Sequence, residues 1–85
     1  MQDTTTAEAL ICKKNLLGPR IREARYRLGN KISQTELAAR LQDLGVNVDP
    51  SAISRIENQE RHLSDIELVA IAQVLGVPLA NLLEG

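Results

Sequence analysis

At 85 residues, with 44% hydrophobic content and a formal net charge of −1, the chain holds one small domain with a modest core. One cysteine (Cys12), one histidine (His62) and one aromatic residue (Tyr26) exclude an internal disulfide, a zinc-ligand set and base stacking on aromatic platforms. The small net charge conceals a segregation that suits an anionic partner on one surface: residues 13–40 carry eight Lys and Arg against Glu23 and Glu36, and residues 41–85 carry seven acids against Arg55 and Arg61.

Residues 1–15 show no clear period before Leu10, so they are expected to form a flexible N-terminal tail, with residues 16–85 as the domain. Leu10 and Ile11 are the tail residues able to pack on the domain or on a second subunit. A first helix is predicted from Pro19 to Leu28, with Ile21, Ala24 and Leu28 as its buried stripe and Arg20, Arg22 and Arg27 on its wetter sides. Gly29-Asn30 would stop it. Ser33 and Glu36, three residues apart, make a capping box for a second helix whose buried face is Leu37, Ala38, Leu41 and Leu44. Gly45 ends that helix, and Val46-Asn47-Val48 reads as an extended connector whose valines close the core.

Asp49 and Pro50 then open a third helix over residues 50–58. Ala52, Ile53 and Ile56 share one side of it, while Ser51, Arg55 and Asn58, at i, i+4 and i+7, share the opposite side. Arg55 can donate two parallel hydrogen bonds to a guanine edge, or grip a phosphate. Taken alone, the same stretch also fits an ordinary surface helix with a solvated face. Leu63 is expected to dip inward before a second capping box, Ser64 with Glu67, starts a fourth helix. That helix is apolar around most of its circumference (Ile66, Val69, Ala70, Ala72, Val74, Leu75), which predicts a central core helix. Gly76 ends it, and Pro78 to Leu83 starts a last short helix carrying Leu79, Leu82 and Leu83. The sum is an all-α fold of five helices.

Ser33-Gln34-Thr35-Glu36-Leu37-Ala38, then Ile53-Ser54-Arg55-Ile56-Glu57-Asn58, then Leu68 to Leu83 resemble the phage Cro/repressor-type (XRE-like, lambda-repressor-like) helix-turn-helix family over roughly residues 18–83. The resemblance implies a compact five-helix DNA-binding domain in which the second helix lies across the DNA backbone and the third enters the major groove. It implies base readout by Arg55, Ser51 and Ser54 and a phosphate or buttressing role for Gln34; Thr35, Arg40, Lys31 and Asn58 are further candidates for the DNA backbone. It also implies an internal ion pair between Arg25 and Glu57. The residues support the last point separately: an acid in a helix's last turn opposes the dipole at about 0.3–1 kcal/mol, so Glu57 needs a partner, and Arg25 on the basic first helix is the nearest in character. Three features depart from the family pattern. The connector from Leu41 to Asp49 is longer than the tight family turn, Pro50 offers only apolar contact where relatives offer a base-contacting side chain, and Gln59 replaces the usual glycine after the third helix.

The function expected from this reading is sequence-specific binding of double-stranded DNA by a small transcriptional regulator, a repressor, working as a homodimer. The alternative is a protein-interaction module of antitoxin-like or regulator-binding type, using the acidic C-terminal part and exposed aliphatics near Leu79, Leu82 and Leu83. An enzyme is not expected. His62 has no evident nucleophile partner, and the chain has no phosphate-cradling glycine loop. Cofactors, metals and small-molecule ligands are likewise not expected. Without an apolar run of spanning length or a signal-peptide pattern, the expected location is the cytoplasm.

Overall fold

The structure is a computed structural model that describes residues 13–27 and 31–84. The expectations for Leu10, Ile11, Cys12, Leu28, Gly29 and Asn30 lie outside the described residues. Among the described residues five helices follow one another and no strand occurs: α1 (Gly18–Arg27), α2 (Gln34–Asp43), α3 (Pro50–Glu57), α4 (Asp65–Leu75) and α5 (Leu79–Glu84).

Local chemistry sets the boundaries. Ser33 Oγ accepts the Glu36 N–H at 3.0 Å to start α2, and Asp49 Oδ1 accepts the Ala52 N–H at 2.7 Å to start α3, where Pro50 occupies the first turn. Ser64 and Glu67 form the full reciprocal box at the start of α4. Gly45 (φ 86°) follows α2 and Gly76 (φ 69°) ends α4, both in the left-handed region that a side chain penalises. At the end of α3 the left-handed residue is Gln59 itself (φ 64°), while Asn58 stays at φ −87°. That conformation costs a non-glycine residue about 1–2 kcal/mol. Its offset is visible: Gln59 Nε2 donates to the Asn15 carbonyl at 3.1 Å, and the Lys14 N–H donates to the Gln59 carbonyl at 3.1 Å.

Helix α3 packs on α1 and α2, while α4 lies beneath α1 and α2 and carries α5. Ile21, Leu37, Leu41, Ile53, Ile56, Ile71 and Leu75 are fully enclosed, so the core is aliphatic, as composition required. Emptying one such position by Leu→Ala typically costs about 2–5 kcal/mol. Val48 is buried and Val46 packs beside the core, and Gln42 Nε2 holds the connector through the Val48 carbonyl at 2.8 Å.

Several expectations are corrected. Leu44 is exposed, because α2 ends at Asp43 and the chain turns there. Helix α4 buries one side only: Ile66 is 70% exposed and Val69 is also open, since none of the helices among the described residues covers their side of α4. Leu82, expected among exposed aliphatics, is 2% exposed and anchors α5, leaving Leu79 and Leu83 outward. The Ser33–Glu36 box is only half made, because the Glu36 carboxylate turns to Arg40 Nε at 2.8 Å. Residues 14 and 15, assigned to the tail, are tied to the domain by hydrogen bonds.

Candidate nucleic-acid interface

Helix α3 divides into two faces. Ala52, Ile53, Ile56 and Glu57 are buried, while Pro50, Ser51, Arg55 and Asn58 are exposed and Ser54 is half-buried beside them. The outward arc is therefore composed of hydroxyls, an amide, one guanidinium and one proline ring. Arg55 makes no ion pair among the described residues, so its fork of donors faces outward uncommitted.

The inward face is fixed by a buried charge network. Arg25 Nε donates to Glu57 Oε2 at 2.7 Å and Arg25 Nη2 to Glu57 Oε1 at 2.9 Å, a bidentate pair. Arg25 Nη1 donates to the Ile32 carbonyl at 2.9 Å, and Gln34 Nε2 donates to Glu57 Oε1 at 3.1 Å. Arg25 and Glu57 are only 5% and 4% exposed, so each charge depends on the other and on these extra bonds. The hydrogen bond from Glu57 raises the Arg25 guanidinium above its ordinary value against the opposing effect of burial, and the cation persists at all ordinary pH. Through this network α1, the start of α2 and the end of α3 become one unit.

Close backbone approach completes the fixation. A Cβ on Gly18 would collide with the Ile56 carbonyl and crowd the Glu57 carbonyl. Only glycine lets α1 begin there. Asn15 reinforces the junction: its Oδ1 accepts the Gly18 N–H at 2.7 Å, and its Nδ2 donates to the carbonyls of Ile56 at 3.1 Å and Arg61 at 2.8 Å.

Beside α3, the start of α2 presents Gln34 and Thr35, with Lys31 exposed just before it. The backbone N–H groups of Gln34 and Thr35 have no acceptor among the described residues, the usual condition of a helix N-terminus open to an anion. Arg22, Tyr26, Lys31 and Ser33 border a cleft of about 420 Å³ at this point. The Arg25 guanidinium lies over the Tyr26 ring at 4.9 Å, within cation–π range. Arg40 stands apart, in the last turn of α2, and is engaged by Glu36. Thus Ser51, Ser54, Arg55 and Asn58 share one face of α3, Lys31, Gln34 and Thr35 gather at the start of α2, and Arg40 joins neither group.

A family model described as helix-turn-helix matches residues 24–82, from within α1 to α5. The chain belongs to the Cro/repressor-type helix-turn-helix family. Its helix-turn-helix is α2, the connector 44–49 and α3, and the family is one of DNA-binding transcription regulators. No curated protein matches the chain, and no solved structure does. Among the described residues of this Cro/repressor-type domain, no helix is long and apolar enough to cross a membrane, and no His, Cys, Asp and Glu cluster could hold a metal ion.

Sequence reasoning gave no site role to Asn15, Gly18, Arg22 or Tyr26. Asn15 gives only a general signal, since Asn favours turns in which its side chain accepts from a nearby backbone N–H, here that of Gly18. For Gly18 no local signal exists, because what forbids a side chain is the backbone of a helix distant in sequence.

Proposed function

We propose that the protein binds double-stranded DNA sequence-specifically as a homodimer and represses transcription by occupying its operator, with α3 in the major groove and α2 across the backbone. The observation that carries this is the outward arc of α3: polar, open, and set on a helix whose opposite face is locked by the Arg25–Glu57 pair. Arg55 reads a base edge, with guanine O6 and N7 as the geometric match for its fork, and Ser51 and Ser54 assist. Gln34, Thr35, Lys31, Asn58 and, more remotely, Arg40 meet the phosphates. Pro50 contributes apolar contact, for which a thymine methyl is suited. The reading includes no catalytic step.

The test is selection of bound sequences from a random DNA pool, followed by binding measurements on the enriched site. A palindromic site is the expected result for a two-fold assembly. Arg55→Ala should then cost about 1–3 kcal/mol at one base position and relax discrimination there. A uniform loss across all sequences would make Arg55 a phosphate contact instead. A reporter gene behind the selected site should be silenced. Failure to retard any DNA at low salt would favour the second reading, a protein partner, which the exposed apolar residues Ile66, Val69, Leu79 and Leu83 support.

A further inference from the structure

A trough of about 730 Å³ runs between the segment that leads into α1 and the start of α4. Half-buried Leu17, Leu63 and Leu68 line it. Leu16 and Leu83 also border it and stand 60% and 55% exposed. Its charges are divided by origin: Lys14 and Arg20 come from the α1 side, and Asp65 comes from the first residue of α4. None of these three makes an ion pair among the described residues.

A two-fold contact brings each surface against itself, so a residue facing a second across the axis is faced by that second in return. A surface is suited to this when it carries both signs of charge on separate walls and an apolar strip between them. The trough has that composition. The other open apolar area, around Leu44, Val46, Ile66 and Val69, is bordered by Asp65 as its one charge, so self-contact there gains no pairing.

We infer that the trough is where a second copy of the chain docks, with Leu16 and Leu83 of each copy seated in the trough of the other and Arg20 facing Asp65 across the axis. The inference takes its purpose from the dimeric DNA-binding reading, but its test needs no DNA. Sedimentation equilibrium of the full chain, up to millimolar concentration, should show a reversible dimer. Leu16→Glu, outside the described helices, and Arg20→Glu should each weaken association by about tenfold or more, with thermal melting unaltered at dilutions where the parent is monomeric. Combining Arg20→Glu with Asp65→Arg should restore it to within about threefold of the parent, and Ile66→Gln should leave it unchanged.

A parent chain that stays monomeric throughout would overturn the inference and leave the trough to the chain's own N-terminal segment or to another protein. Loss of association in Ile66→Gln, or its full retention in Leu16→Glu, would overturn it in favour of another face. Dimers that select no DNA would count against the proposed function alone, and site-specific binding by a monomer would count against this dimer alone.

Discussion

The starts of α2 and α4 share the pattern Ser-x-x-Glu, yet they are closed in different ways. At α4 the bonds are local: Ser64 Oγ accepts the Glu67 N–H at 3.1 Å, the Ser64 N–H donates to Glu67 Oε1 at 3.0 Å, and the Arg61 guanidinium donates to both carboxylate oxygens at 3.1 and 3.2 Å. At α2 the return bond is missing, and the acid that holds the helix's first side chain is Glu57, brought from α3. The first start is a finished joint. The second is anchored from below and keeps its outer N–H groups open, as a surface meeting an anion requires. One pattern thus gives either a closed helix start or an open one, depending on where the nearest guanidinium lies.

The largest expected effect breaks the distant anchor. Glu57→Ala leaves Arg25 buried without its counter-charge and should cost about 3–5 kcal/mol in denaturant unfolding, more than it changes contacts with DNA. Glu67→Ala should cost less, because water reaches the Arg61–Glu67 pair. Equal losses would erase the contrast between the two starts.

Next, Ser64→Ala should cost about 0.5–2 kcal/mol by thermal unfolding. Ser33→Ala should cost less, since its box lacks the second bond.

A third test uses pH. Burial pushes the Glu67 carboxyl upward, but the Arg61 hydrogen bond, the Ser64 backbone and the Arg61 charge together hold it below its usual value. A folded pKa below the unfolded one stabilises above the unfolded value, and that contribution is lost as pH falls through the folded value. Parent and Glu67→Gln should therefore differ at neutral pH and converge on acidification. Stability curves that stay parallel into acid would reject the assignment.

The smallest effect tests whether the open start of α2 meets DNA, as proposed. Lys31→Ala should shallow the salt dependence of DNA affinity by about one unit of slope, without altering the preferred sequence. An unchanged slope would remove the start of α2 from the interface.

Much of this architecture was legible because it is written locally. Ser33, Asp49, Ser64, Gly45 and Gly76 each act within a few residues, so both ends of α2 and α4 and the start of α3 could be read directly. Burial was less legible, because an apolar side chain does not reveal whether a neighbour covers it. Leu44, Ile66 and Val69 have the composition of core residues and lie open, while Leu82 was expected outside and closes α5 onto the domain. The split of α3 into a polar and an apolar side followed from period alone, whereas its junction with α1 did not. Asn15, Gly18 and Gln59 meet there by chain folding, and Gln59 accepts a glycine's conformation because Lys14 and Asn15 bind it.

That junction makes α3 a lever with unequal ends. Its C-terminal end is clamped by the Gly18 contact, the Asn15 bonds and the Glu57 pair, so it serves as a fixed pivot. Its N-terminal end is joined to the connector, which is held by buried Val48, by the bond from Gln42 to the Val48 carbonyl and by the Val46 N–H donating to the Leu41 carbonyl. Because Val48, Ala52 and Ile53 are buried in the core, a change in the length of residues 44–49 would have to be absorbed by that packing before it moved Ser51 and Arg55. The connector is thus a part of the core as well as a link, and the two ends of α3 answer to different neighbours: one to the segment before α1, the other to the valines that follow α2.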